Sequence, residues 1–115
     1  MNETFKTIFK SYKHKFRNKP VIDDGKRYAS KLEHSFKQHL DLLKKTGEVV
    51  FYLTQVPIDL PGGTKYIVDF QVFMADGSIR FIDTKGMETD LFKLKKRQVE
   101  EIYPFHIEII KKGDF

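Results

Sequence analysis

Asp69 stands inside the apolar run Tyr66-Ile67-Val68-Asp69-Phe70, and Asp83-Thr84-Lys85 closes a second apolar run after a glycine-containing turn. Two acids on adjoining stretches, the second placed two positions before a lysine, supply carboxylates that can hold a divalent cation and an ammonium beside an attacked phosphate. That is the equipment of metal-dependent phosphodiester hydrolysis. An acid among apolar neighbours also needs a partner, and a cation supplies one. The bland alternatives are a strand-end ion pair for Asp83 and Lys85, and a solvated place on a half-exposed sheet for Asp69.

These residues can act together only if the elements carrying them are in register. The sequence predicts strands over about Lys65 to Met74 and Ser78 to Lys85, joined by Ala75-Asp76-Gly77. A three-residue loop with Gly77 left-handed sets Met74 against Ser78 and Asp69 directly opposite Asp83 on one sheet face, with Lys85 sharing that face. A two-residue Asp-Gly turn would pair Asp69 with Thr84 and send the acids to opposite faces. The proposed chemistry therefore requires the longer turn.

Around this hairpin the pattern is legible. A helix is expected from Ser30 to Lys45, with Leu32, Phe36, Leu40 and Leu43 along one face, Lys44 and Lys45 near its C-terminus, and Gly47 as a left-handed cap. A strand follows from Glu48 to Leu60, bending or ending near Pro57, and Pro61-Gly62-Gly63 makes a turn. From about Asp90 to Tyr103, Leu91, Leu94, Val99 and Ile102 recur among Lys93, Lys95, Lys96 and Arg97, which reads as a helix with one strongly basic side. Pro104 ends it, and Phe105 to Ile110 form a last strand that can lie parallel to a neighbour. In the first nineteen residues, Phe5, Ile8, Phe9, Tyr12 and Phe16 recur at helical spacing among lysines and an arginine: a basic amphipathic arm. It could cover the core, contact a second copy, grip DNA or lie on a lipid surface.

With 115 residues the chain can bury one core, so a single domain is expected: an arm over 1–19 and a core over 20–115. Lys and Arg outnumber Asp and Glu by 21 to 16, which favours an anionic partner, with nucleic acid first. Eleven Phe and five Tyr supply core and interface bulk, and the absence of Cys excludes disulfides and thiolate zinc sites. No apolar run reaches the ~20 residues of a membrane span and no secretion signal is visible, so a cytoplasmic protein is expected. No P-loop, dinucleotide fingerprint or nucleophile elbow is present.

A helix bearing Glu33, a strand bearing Asp69, then Asp83-Thr84-Lys85, a helix and a strand resemble the PD-(D/E)XK nuclease superfamily, the fold of many restriction enzymes and several Holliday junction resolvases. Within it, Asp24-Gly25-Lys26-Arg27-Tyr28-Ala29-Ser30-Lys31-Leu32-Glu33 and Asp83-Thr84-Lys85-Gly86-Met87-Glu88-Thr89 look like a small phage-associated nuclease family. Val68 stands where the motif has proline, and Asp83 where many members have Glu. The resemblance implies an α/β restriction-endonuclease-like core, a mixed central sheet flanked by helices in the order α-β-β-β-α-β, preceded by the N-terminal basic helix. It implies that Asp69 and Asp83 ligate one or two Mg²⁺ or Mn²⁺ ions, that the Thr84 carbonyl adds a ligand, and that Glu33 joins directly or through water. Lys85 would orient or deprotonate the attacking water and stabilise charge on the phosphorane. A capping box, with Ser30 opening the helix and Glu33 reaching back, is the competing reading of that helix.

Lys31, Lys65, Lys93, Lys95, Lys96 and Arg97 flank the candidate site and would contact phosphates without reading bases. Structure-selective recognition follows, and a symmetric homodimer would present two sites to two strands. A phage Holliday junction resolvase or branched-DNA endonuclease is the expectation, serving recombination or replication of a phage genome in the host cytoplasm. Against it stand a nickase or end-processing nuclease of the same fold and a catalytically silent DNA-binding module. Gln98 follows the motif on the helix, where some members of the superfamily use a glutamine near the site, although an exposed helical glutamine is the commoner reading; Gln55 resembles a glutamine in the matching strand of the phage family and has no assigned role. His14, His34, His39 and His106 show no metal-ligand pattern except the weak spacing of five between His34 and His39, which is off a helical face, and they read as surface or packing residues.

Overall fold

A computed structural model describes residues 24–115, with side chains described from Lys31 onward. The basic arm over 1–19 lies outside the described residues. A helix, α1 (Asp24–Thr46), leads into strand β1 (Val49–Leu60), a single 3₁₀ turn (Pro61–Gly63), β2 (Thr64–Met74), β3 (Ile79–Thr84), helix α2 (Asp90–Ile102) and β4 (Ile107–Ile110). The four strands form one sheet in the order β1-β2-β3-β4, antiparallel except for the last pair. It is a mixed α/β fold, and β4 does run parallel to its neighbour, Phe81 opposite Ile107 and Thr84 opposite Ile110. α2 makes the crossover that such a parallel pairing needs.

α1 begins six residues earlier than the expected Ser30. Asp-Gly reads as a break, yet acidic residues suit the positive end of a helix as well as a turn. Ser30 is therefore interior to the helix rather than its N-cap, and the capping box with Glu33 does not form. The C-terminus matches the sequence reading. Gly47 has φ +89°, its amide donates to the Lys44 carbonyl at 3.2 Å, and the Glu48 amide donates to the Leu43 carbonyl at 3.0 Å. This crossed pair of bonds closes the last turn.

The β2–β3 turn is the longer one. Gly77 has φ +92°, its amide donates to the Met74 carbonyl at 3.0 Å, and the Met74 amide donates to the Ser78 carbonyl at 2.9 Å. Phe73–Ile79 through Phe70–Ile82 follow in register. Pro57 does not end β1, which pairs on through Ile58–Tyr66 to Leu60–Thr64. β1 is an edge strand, where a missing N–H is tolerated.

Two hydrophobic clusters hold the helices. Phe36 and Leu40 of α1 pack with Tyr52, Phe70, Val72 and Ile82. Val99 of α2 packs with Ile58, Leu60, Tyr66, Val68 and Ile107, flanked by Phe81 and Phe92. Phe81 and Ile82 are consecutive on β3 and belong to different clusters, so the helices cover opposite faces of the sheet. In α2 the apolar series divides: Val99 is fully buried, whereas Leu91, Leu94 and Ile102 are exposed. Phe92, rather than Leu91, turns inward, because Thr89 caps the helix by accepting from the Phe92 amide at 3.1 Å and so fixes its first turn. No helix among the described residues is long and apolar enough to cross a membrane.

This packing separates core from surface leucines and aromatics sharply. Phe70 is 1% exposed and meets Phe36 edge-on at 5.3 Å between ring centroids. Phe70→Ala should cost ~3–5 kcal/mol in urea unfolding, while Leu91→Ala, at a site 62% exposed, should change stability by less than ~0.5 kcal/mol. Equal losses would mean that α2 docks through its leucines instead.

Candidate active site

The register running from Phe73–Ile79 to Phe70–Ile82 places Asp69 opposite Asp83 at its next step. There the main-chain ladder gives way to side chains. The Asp69 amide donates to Asp83 Oδ1 at 2.8 Å, and the Thr84 amide donates to Asp69 Oδ2 at 2.9 Å, joined by the Thr84 hydroxyl at 3.0 Å. The two carboxylates do not project side by side from one face, as strand alternation alone suggests. Each turns into the space between the strands and bonds the opposite one, because a buried main-chain amide without a carbonyl partner needs an acceptor.

Asp83 is 1% exposed, and its Oδ2 accepts from the Tyr66 hydroxyl. Tyr66 belongs to the cluster beneath α2, so Asp83 lies towards that side. Lys85 follows two positions later with Nζ 4.7 Å from the centre of the Phe92 ring, an arrangement in which ring and ammonium attract. Burial, then the charge of Asp69, pushes the Asp83 carboxyl up to about 6, against Tyr66, the Asp69 amide and Lys85. Burial and the Asp83 charge raise the Tyr66 hydroxyl in turn, so it remains a proton donor.

Asp69 lies towards α1. Gln55 of β1 donates from Nε2 to Glu33 Oε2 at 2.9 Å and to Asp69 Oδ1 at 3.4 Å. Glu33 is thus brought from the helix to the sheet, one turn before Phe36, whose burial fixes the orientation of α1. Burial, then the Asp69 charge, pushes the Glu33 carboxyl up to about 7, with Gln55 and Lys85 opposing. Asp69 is raised as well, by burial, against the Thr84 amide and Lys85. Glu33, Asp69, Asp83 and Lys85 form one electrostatic unit of three acids and one ammonium.

That unit fits a hard divalent cation by its donor chemistry: its ligating atoms are all oxygen, and its negative charge exceeds its positive charge. Among the described residues no group of three or more His, Asp or Glu side chains is placed to hold a metal ion as the side chains stand. Few protein ligands with retained waters is the usual arrangement for Mg²⁺. The lone-pair capacity of Asp69 and Asp83 is not exhausted by the bonds they accept.

Of the predicted phosphate contacts, Lys31, Lys65, Lys93 and Arg97 are exposed and Lys95 and Lys96 are partly covered. Lys65 pairs with Asp59, and Lys96 with Glu100 at 3.0 Å. The Lys65–Asp59 pair is exposed, and a pair of that kind is weak and can yield to phosphate. His39 packs against Phe36 and Phe115, as a packing residue should. Gln98 is exposed.

The sequence reading missed Tyr66 as a site residue and named Gln55 without giving it a role. Tyr66 carried a signal, since a buried tyrosine hydroxyl seeks a partner and Asp83 is the acid across the strand pair. Gln55 carried one too: counting back from the Pro61-Gly62-Gly63 turn sets it opposite Asp69.

The raised carboxyls predict how stability depends on pH. Glu33 and Asp83 titrate higher in the folded chain than at their ordinary values of 4.5 and 3.8. Between the two limits the folded state binds more protons than the unfolded one, so stability falls as pH rises. Asp41 and Glu100 are lowered and act oppositely, below this window. In EDTA, Tm should therefore decline from about pH 5 to about pH 8, and Glu33→Gln should flatten the decline. A profile that is level in the native protein would contradict the burial of these acids.

No curated protein and no solved structure matches the chain. One family pattern does, over residues 13–112, which includes every residue of the site. The chain belongs to the family described as protein of unknown function, DUF1064.

Proposed function

We propose that the protein is a metal-dependent endodeoxyribonuclease with a PD-(D/E)XK, restriction-endonuclease-like core, acting on branched DNA as a phage Holliday junction resolvase. One observation carries the reading. A strand register set by the Gly77 turn puts Asp69 opposite Asp83, two residues before Lys85, and a helix delivers Glu33 to the same charge cluster.

Asp69, Asp83 and the Thr84 carbonyl would hold one or two Mg²⁺ or Mn²⁺ ions, with Glu33 joining directly or through water. Bound there, the ions neutralise phosphate charge and make water a better nucleophile. Lys85 orients the water and donates to the phosphate oxygen on which charge builds, where an ammonium contributes most. Tyr66 and the Asp69 amide fix the Asp83 carboxylate, so it does not have to reorganise as charge moves. Lys31, Lys93, Lys95 and Arg97, together with Lys65 and Lys96, would take backbone phosphates, which gives affinity without sequence preference. A homodimer would bring two such sites to the paired strands of a junction.

A second reading is a DNA-binding module that does not cut. It is favoured by Asp83 itself, whose two oxygens already accept from Tyr66 and from the Asp69 amide.

Cleavage of a labelled four-way junction and its matching linear duplex, with Mg²⁺, Mn²⁺ or EDTA, separates the readings. The resolvase reading expects paired, metal-dependent cuts in the junction and a loss of at least ~10²-fold in Lys85→Ala. Cuts in both substrates would indicate a nickase or end-processing nuclease. Tight binding with no cuts in any metal would leave the binding module.

A further inference from the structure

Gln55 is the one non-glycine residue at positive φ among the described residues, at +53°. It sits within a strand, where extended backbone is the rule, and not in a turn. A left-handed residue there costs free energy that an extended one would not, so something must compensate. The neighbouring register is unbroken, Thr54 opposite Phe70 and Val56 opposite Val68, which sets Gln55 opposite Asp69.

The buried stripe of the hairpin passes from one hydrophobic cluster to the other at this point. Tyr52, Phe70 and Val72 pack beneath α1, whereas Val56, Ile58, Tyr66 and Val68 pack beneath α2. The left-handed residue lies at the crossing. From there its side chain reaches the α1 side, where Nε2 donates to Glu33 Oε2 at 2.9 Å and Asp69 Oδ1 at 3.4 Å. One amide thus links the helix acid to the sheet acid.

The residue type matters as much as the place. A lysine here would satisfy two carboxylates by neutralising one of their charges. A glutamine donates hydrogen bonds to both and adds no charge, so the acids are held in position while their negative charge stays available to a cation. We propose that Gln55 is a positioning residue, a strained, uncharged clamp that presents Glu33 and Asp69 together to a divalent cation. This rests on reading those two acids as cation ligands. Side chains that orient metal ligands by hydrogen bonding typically affect affinity by ~10–100-fold.

The test is Mn²⁺ binding by calorimetry and Tm with and without Mn²⁺, on the full chain, for native protein, Gln55→Met, Gln55→Gly, Gln55→Ala and Gln55→Lys. Gln55→Met should bind Mn²⁺ at least ~10-fold more weakly. Gln55→Gly should melt above Gln55→Ala, because glycine adopts positive φ without penalty, yet should bind Mn²⁺ as weakly as Gln55→Met. Gln55→Lys should lose Mn²⁺ binding while its metal-free Tm stays at or above the native value, because its ammonium takes the place of the cation. A native protein that binds Mn²⁺, alongside a Gln55→Met that binds equally well, overturns the role of Gln55 and leaves the site reading standing. A native protein that binds no Mn²⁺ overturns the site reading and the clamp with it.

Discussion

The structure depends on the exchange of bonds between Asp69 and Asp83 across β2 and β3. Two carboxylates facing each other in a buried setting repel, and each is penalised for leaving water. They are tolerated because each accepts from the other's strand: Asp83 from the Asp69 amide, Asp69 from the Thr84 amide and hydroxyl. Hydrogen bonds to charged groups contribute about 1.5–3 kcal/mol each, enough to offset part of the penalty. The carboxyls are nonetheless held above their ordinary range. The carboxyls where the two strands part are thus held in place by hydrogen bonds against burial and mutual repulsion.

The two helices serve that place from opposite faces. Phe36 and Leu40 seat α1 on Tyr52 and Phe70, which fixes where Glu33 arrives. Val99 seats α2 with Tyr66 and Val68, which places Phe92 beneath the Lys85 ammonium and the Tyr66 hydroxyl against Asp83. Packing at each face therefore has a direct electrostatic consequence. Gln55 joins the two halves where the hairpin's buried stripe crosses between them.

What the sequence made legible was local and steric. Gly77 in a three-residue loop determined the register that sets Asp69 against Asp83, and Gly47 marked the end of α1. Where the reading failed, tertiary context decided the outcome. Asp24-Gly25 reads equally as a turn or a helix start, and the helix takes it. The leucines of α2 and Phe92 compete for one buried face, and the Thr89 cap settles which turns inward. The strand at Pro57 continues because it lies at an edge, a fact of sheet order rather than of residue type. The inward turn of the two carboxylates and the positive φ of Gln55 arise from pairing between distant segments, which residue alternation within one strand does not encode.

The most direct test of this account is a crystal grown with Mn²⁺ and measured for its anomalous signal. The account predicts a peak beside Asp69, within ligating distance of its carboxylate and reached by Glu33 or Asp83 directly or through water. Well-ordered density for all three acids with no peak there, at millimolar Mn²⁺, would contradict it.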